Sequence, residues 1–400
     1  MRQLTKRTRA GVAATLVWAA LMAGTAGCDS FSDGKPRAPE DAIQVMPDDG
    51  AKNIGARDKV EVRVPDGRRL EQVTVYSVMD GHREVLPGSL SDDGRSWKPD
   101  GGRLGLASEY SVDAVASDGD GHTLARHTTF TTFVPPHRFI GYFTPENAST
   151  VGTGMIVSFN FNRPVENRAA VERAIHVTAT PSVPVGGHWF GKSRLDFRPS
   201  AYWKPGTRVS VGMRLRDVQA APGVYGIQQK TIGFTVGRSQ VSLVDAAAHT
   251  MTVRRDGAVL TTLPVTAGAA KHTTYNGRMV VMEKHAVTRM NGRTVGFGGE
   301  YDIPDVPHAM RLTNSGTFLH GNYWAPARTF GTSNTSHGCV GLRDVRGGSA
   351  SSPAGWLYDH TLIGDVVEVV NSPDTKVAPD NGLSGWNLDW AHWKSGSALG

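Results

Sequence analysis

The stretch "FLHGNYWAPARTFGTSNTSHGCVGLRDV", residues 318–345, holds one of only two cysteines in the chain. Cys339 lies two residues after His337 and nineteen after His320, and a glycine follows each histidine. The thiolate, not the thiol, is the nucleophile, so this cysteine needs a base or a cationic neighbour near neutral pH. On an extended strand His337 and Cys339 would share a face, while His320 would come alongside from a neighbouring strand. Gly321 and Gly338 leave bare backbone beside each imidazole, able to offer a carbonyl that orients a ring or N–H groups that hold an oxyanion. Nucleophile, base, orienting acceptor and oxyanion donors are the parts of cysteine-based acyl transfer. The bland alternatives are a small buried thiol and ordinary strand histidines. A zinc site of His320, His337 and Cys339 is a third, without the Cys-x-x-Cys pairs of a strong zinc motif.

The start of the chain sharpens the question of the lone thiol. "MRQLTKRTR" is a positive segment, followed by the uncharged, mostly apolar "AGVAATLVWAALMAGTA" and then by "GC". That order reads as an export signal over residues 1–27. "TAGC" at 25–28 resembles a bacterial lipoprotein box, in which Cys28 becomes lipidated and N-terminal, with a polar linker over 28–41. An uncleaved anchor is the alternative, but the apolar run is slightly short of the ~20 residues that span a bilayer. Either reading expects the bulk of the chain on the outer face of the cytoplasmic membrane, in the cell envelope. Exported proteins use cysteines mainly in pairs, and with Cys28 lipidated Cys339 has no partner.

The formal charge of +6 comes largely from the same segment. Without Arg2, Lys6, Arg7 and Arg9, 39 basic residues face 37 acidic ones, which gives no long-range steering. No Lys/Arg cluster with interleaved aromatics occurs elsewhere, so nucleic acid is excluded as a partner. Hydrophobic content of 39% and charged content of 20% are those of a globular protein, and 400 residues call for two or three domains.

The fold class read from the pattern is mainly β. "KVEVRV" alternates Val60, Val62 and Val64 with charged residues, the period of a half-buried strand. "LEQVTVYSV", "EYSVDAVA" and "HTTFTTF" continue the pattern through residues 42–135, and "MIVSFNF", "TRVSVGMRL" and "KTIGFTV" repeat it through 137–236. Trp97-Lys98-Pro99 and Phe197-Arg198-Pro199 each precede a strand and then a closing Thr/Phe strand. That internal repeat, at roughly ninety to a hundred residues, suggests two tandem immunoglobulin-like β-sandwiches. A third, hairpin-rich β domain follows over 238–371, and residues 372–400 form a Trp-rich tail. Trp386, Trp390 and Trp393 stand at i, i+4 and i+7, one face of a short helix expected to pack on the third domain.

The 318–345 stretch closely resembles the His-Gly … Ser-His-Gly-Cys signature of the L,D-transpeptidases, the YkuD-type peptidoglycan cross-linking enzymes. The resemblance runs from about residue 238 through "LPVTAG", "TYNGRMVV" and "LYDHTLIGDVVEVVNS" to the tail. The order of signal, two immunoglobulin-like domains and catalytic domain also matches the actinobacterial-type enzymes. The resemblance implies that Cys339 is the nucleophile, His320 the general base and acid, and His337 a supporting histidine. It places the Gly321 carbonyl as the group that orients His320, Ser336 and Gly338 in the loop, and oxyanion donors at the N–H groups around Gly338 and Cys339. Ser315, Gly316 and Tyr301 fall where the family contacts the stem peptide. Gly341 stands where the family often has Arg or Asn, so a substrate contact is lost there or supplied by Arg343.

The implied reaction joins peptidoglycan stem peptides by 3→3 cross-links through a cysteine thioester, with release of D-Ala, no cofactor and no metal. A monomer is expected, lipid-anchored to the membrane, with Cys339 open to carbapenem acylation. Two rivals use the same chain: an L,D-carboxypeptidase that resolves the thioester with water, and a wall-binding lipoprotein whose last domain is inactive. A zinc-dependent peptidase is a third.

Overall fold

The computed structural model describes residues 42–79, 82–296 and 298–400. The signal, the Cys28 lipidation and the 28–41 linker fall on residues 1–41, outside the described residues. Among the described residues no helix is long and apolar enough to cross a membrane.

Period-2 alternation builds the first sandwich. In strand Glu109–Asp118 the side chains of Tyr110, Val112, Ala114 and Ala116 are buried and their neighbours are not, as one buried sheet face demands. This strand sits between Arg68–Met79 and Thr123–Thr132 in a five-stranded sheet. It faces a four-stranded sheet that contributes Val62 and Trp97 to a shared core with Val75, Val112 and Phe130. The second sandwich pairs the sheet of 141–144, 157–161, 194–199 and 185–190 with that of 150–151, 229–236, 208–214 and 175–180. The internal repeat has a packing meaning. Trp97 and Phe197 both sit buried on inner strands, paired with Val62 and Val157 respectively.

The third domain is one nine-stranded sheet. In spatial order its strands are 277–280, 366–370, 240–245, 250–255, 258–266, 340–343, 318–322, 302–311 and 283–291. Two pairs are parallel, 240–245 with 366–370 and 318–322 with 340–343. The helix Pro353–Asp359 lies in the connection between the second members of these pairs and buries Ala354 and Leu357 in the domain core. Ser352 starts it by accepting the N–H of Gly355, and proline sits in its first turn, a preorganised helix start.

The tail departs from expectation in two ways. The Trp face is not one helix: Trp386 belongs to a turn over 385–387, Leu388 is extended, and the helix runs Trp390–Ser395 with Asp389 as its cap. Nor does the tail pack mainly on the third domain. Trp386 and Trp393 enter the core of the second sandwich, where their indole N–H groups donate to the carbonyls of Gly154 (2.7 Å) and Gly186 (2.8 Å). The cause is Arg198. Its guanidinium lies within 4.4–5.5 Å of all three indole rings and donates to Leu388 O at 2.8 Å. A buried cation is costly unless compensated, and three ring faces supply that compensation. Burial still pushes the Arg198 pKa down to about 10. The tail meets the third domain too, where Asn387 accepts from Arg278 N–H (2.9 Å) and donates to its carbonyl (2.8 Å).

The strap therefore ties two domains together, with Trp393 fully buried at its end. Trp393→Ala is expected to destabilise the second sandwich by about 3–5 kcal/mol and to release the tail to proteolysis. Denaturant unfolding and limited digestion read the two effects; an unchanged midpoint would refute the strap.

Candidate active site

The parallel pairing of Phe318–Asn322 with Val340–Arg343 decides where the chemistry lies. His320 pairs with Gly341, so the imidazole and Cys339, the residue just before its strand, reach the same end of the sheet. Both are buried, at 4% and 8% exposure, and both line a cavity of ≈ 390 Å³ with Tyr301, Trp324, Ser336 and His337. Met290 and Ile303 from the hairpin 283–311 add an apolar wall; this hairpin is called the flap below.

His320 is fixed from two sides. Its Nδ1–H donates to Gly321 O at 3.0 Å, which leaves Nε2 as the basic nitrogen. Its ring stacks on Trp324, 5.6 Å between centroids and 11° between planes. Gly321 can be nothing larger, because a Cβ there would stand 2.2 Å from Asp344 Oδ2. That carboxylate is itself buried and paired with His308 at 2.7 Å.

The loop before Cys339 is a bend, not the extended strand expected. Gly338 has φ +103°, a region that strongly favours glycine. Ser336 Oγ donates to Cys339 O and accepts the Gly338 N–H at 3.2 Å, closing the turn on itself. The Gly338 N–H expected as an oxyanion donor is thus engaged inside the loop. Asn334 anchors the approach, accepting from Ala267 N–H and donating to Ala246 O, each at 2.8 Å.

Electrostatics set the protonation states. Burial drives the Cys339 thiol up to about 11, against the opposing pull of the Phe318 N–H that bonds the sulfur and of Arg311. Burial lowers the His320 pKa, opposed by the bond to Gly321. Desolvation disfavours the charged form of each group, so burial works against a thiolate–imidazolium pair. The thiol donates weakly to Gly316 O at 3.5 Å.

The remaining residues divide. Tyr301 lines the cavity, 5.0 Å from the His337 ring, and its phenol is pushed up to about 12 by burial and by Cys339. Gly316 touches the sulfur, whereas Ser315 does not line the cavity and is bonded to Asn381 instead. Arg343 is exposed and outside the cavity lining, so it does not supply a contact in place of Gly341. The space a side chain at 341 would take is filled from both neighbouring strands: its Cβ would lie 3.0 Å from Thr266 Cγ2 and 3.3 Å from Asn322 Nδ2. Asn322 is buried, lines the cavity, and uses its Oδ1 to accept Ala325 N–H at 2.9 Å. The sequence carried a signal for it, a polar residue two positions after a candidate base and so on the same strand face. Trp324 had no such signal.

Comparison with known proteins bears on the family. The model of the L,D-transpeptidase catalytic domain matches residues 239–369, and that of a bacterial Ig domain matches 51–219. L,D-transpeptidase 2 of Mycobacterium tuberculosis is 31% identical, with 98% of this chain and 96% of that protein aligned. L,D-transpeptidase 5 of the same organism is 30% identical over 91% of this chain and 78% of its own length. A solved structure of the LD transpeptidase LdtMt1 in complex with imipenem is 31% identical and covers 59% of this chain and 100% of its own, with a TM-score of 0.48. By its match to L,D-transpeptidase 2 over nearly the full length of both proteins, the chain belongs to the L,D-transpeptidase family.

Proposed function

We propose that the protein cross-links peptidoglycan stem peptides 3→3 through a thioester on Cys339, held at the outer face of the cytoplasmic membrane by a lipid on Cys28. The observation that carries the reading is a buried thiol and an imidazole of fixed tautomer lining one cavity, with His320 Nδ1–H committed to Gly321 O. In the first step Sγ attacks the carbonyl of the L,D-peptide bond before the terminal D-Ala of a tetrapeptide stem, and His320 Nε2 takes the thiol proton. The C–N bond breaks, His320 returns the proton to the leaving amine, and D-Ala departs. In the second step the side-chain amine of a diamino acid on another stem attacks the thioester. His320 removes a proton from that nitrogen and gives it to the departing sulfur.

A neutral resting pair suits this sequence. Neither charge is stored in the apolar cavity before substrate arrives, and charge develops only as the sulfur attacks. The Met290 and Ile303 wall limits water at the thioester, which favours amine over hydrolysis. Asn322 offers its side-chain N–H₂ to the cavity beside His320, a donor for a stem carbonyl or carboxylate.

Mass spectrometry of the protein lacking residues 1–40, mixed with a disaccharide-tetrapeptide, is expected to show an adduct on Cys339, released D-Ala and then a stem dimer. Release of free tripeptide alone would establish an L,D-carboxypeptidase instead. Cys339→Ser is expected to abolish the adduct, and His320→Gln to slow it by about 10²–10⁴-fold.

The acylation rate should rise with pH as His320 loses its proton. Because burial lowers its pKa from the ordinary imidazole value near 6.5, that rise is centred on the acid side of that value. The rate then stays level until the thiol titrates near its value of about 11. A rate climbing tenfold per unit between about pH 7 and 9 would show instead that a preformed thiolate is required. Asn322→Ala should weaken substrate capture by about five- to tenfold, the worth of one hydrogen bond, and raise KM more than it lowers kcat.

A further inference from the structure

Beside the cavity mouth, three side chains from three separate segments converge on a single point. Glu300 stands on the flap, just before strand Asp302–Arg311. His337 belongs to the bend before Cys339, and His272 to the loop joining strands 258–266 and 277–280. The same carboxylate oxygen, Glu300 Oε2, lies 3.0 Å from His272 Nε2 and 3.1 Å from His337 Nε2. The two imidazoles stack, 4.8 Å apart and 22° between planes, and all three ligand atoms lie within 4.8 Å of one another. The acyl-transfer steps use neither His272 nor Glu300.

We propose that His272, Glu300 and His337 bind a divalent transition-metal ion, zinc by preference, and that the ion pins the flap to the nucleophile loop beside the cavity mouth. Two imidazole nitrogens and one carboxylate oxygen are a donor set suited to zinc. Around a tetrahedral zinc with bonds of about 2.0–2.1 Å, neighbouring ligand atoms stand roughly 3.3 Å apart. The nitrogen–oxygen separations here are slightly shorter, so a small outward shift seats the ion on one face of a tetrahedron and leaves the fourth position to water. Without an ion, both Nε2 atoms hold the protons they donate to Oε2. A dication takes the same three atoms, each neutral imidazole binding through Nε2 with its one proton on Nδ1.

Two of the ligands stand on fixed backbone. The His272 N–H donates to Ala269 O at 2.9 Å, and its carbonyl packs so closely on Gly268 that a Cβ there would lie 2.1 Å away. His337 is held by the Ser336 turn. Glu300 is half exposed, so the ion has an open approach, and it is the ligand contributed by the flap. Binding therefore couples the flap to the wall of the cavity that Tyr301 and His337 line. The ion here is a latch and takes no part in acyl transfer.

Zinc titration of the full protein by calorimetry separates this site from capture by the thiol. Cys339→Ser is expected to retain one zinc per chain, while His272→Ala and Glu300→Gln each lose affinity by about tenfold or more. On the unaltered protein, zinc should slow acylation of Cys339 by a carbapenem, and EDTA should restore it. His272→Ala should acylate at the metal-free rate with zinc present. Binding that vanishes in Cys339→Ser but survives in His272→Ala and Glu300→Gln would make the sulfur the ligand and overturn the site. Zinc bound to the three residues with acylation unchanged would overturn the latch. The titration of Cys339→Ser does not depend on the acyl-transfer reading; failure of the carbapenem to acylate metal-free protein would count against that reading alone.

Discussion

The parallel pairing of strand 318–322 with strand 340–343 is the constraint from which the site follows. A parallel connection cannot be a tight hairpin, because the chain must cross back to start the second strand at the same end. The crossover 323–339 is that return path, and its last residue is Cys339. Any change of register by one position would turn His320 to the other face of the sheet and separate it from Cys339. The register is held by residues with no chemistry of their own. Gly341 pairs with His320 and leaves room for Asn322. Gly321 makes space for Asp344, which His308 and the Ser349 N–H fix in turn.

Burial then does the electrostatic work. The same desolvation raises the thiol and lowers the imidazole, so the two groups that must exchange a proton are moved apart on the pH scale. This opposes spontaneous thiolate formation and protects the thiol from oxidation, which follows thiolate character and exposure. In the proposed reaction the attack then draws its stabilisation from the bound substrate and from donors around it. The Ser336 turn spends the Gly338 N–H inside the loop, so a donor such as the Asn322 amide gains importance.

Much of this was legible in the residues. The alternating strands of both sandwiches and the paired roles of Trp97 and Phe197 follow from period-2 pattern, while the meeting of His320 with Cys339 is what the family signature implies. Other features were not, for a common reason. The filling of the Gly341 space by Asn322, the stacking of Trp324 on His320 and the convergence of His272, Glu300 and His337 are contacts across strands or loops, and no local period records them. The bend at His337–Gly338 could not be told from an extended strand by spacing alone, since the positive φ of Gly338 decides it. The Trp stripe of the tail was visible, but its docking surface was set by Arg198, nearly two hundred residues earlier.

That docking gives the sandwiches a closer relation to the chemistry than spacing alone. Arg194 of the second sandwich donates to the carbonyls of Asp380 (2.7 Å) and Gly382 (2.6 Å) in the tail. Between those two positions Asn381 grips Ser315, accepting from its N–H at 3.1 Å and donating to its Oγ at 2.8 Å. The next residue, Gly316, has φ +96° and no room for a Cβ beside Val295, and its carbonyl faces the sulfur of Cys339. A continuous chain of hydrogen bonds thus runs from the second sandwich through the tail to the atom beside the nucleophile. Because the net worth of each hydrogen bond is modest, the chain restrains position more than it adds stability. The second sandwich is in this sense part of the wall of the active site.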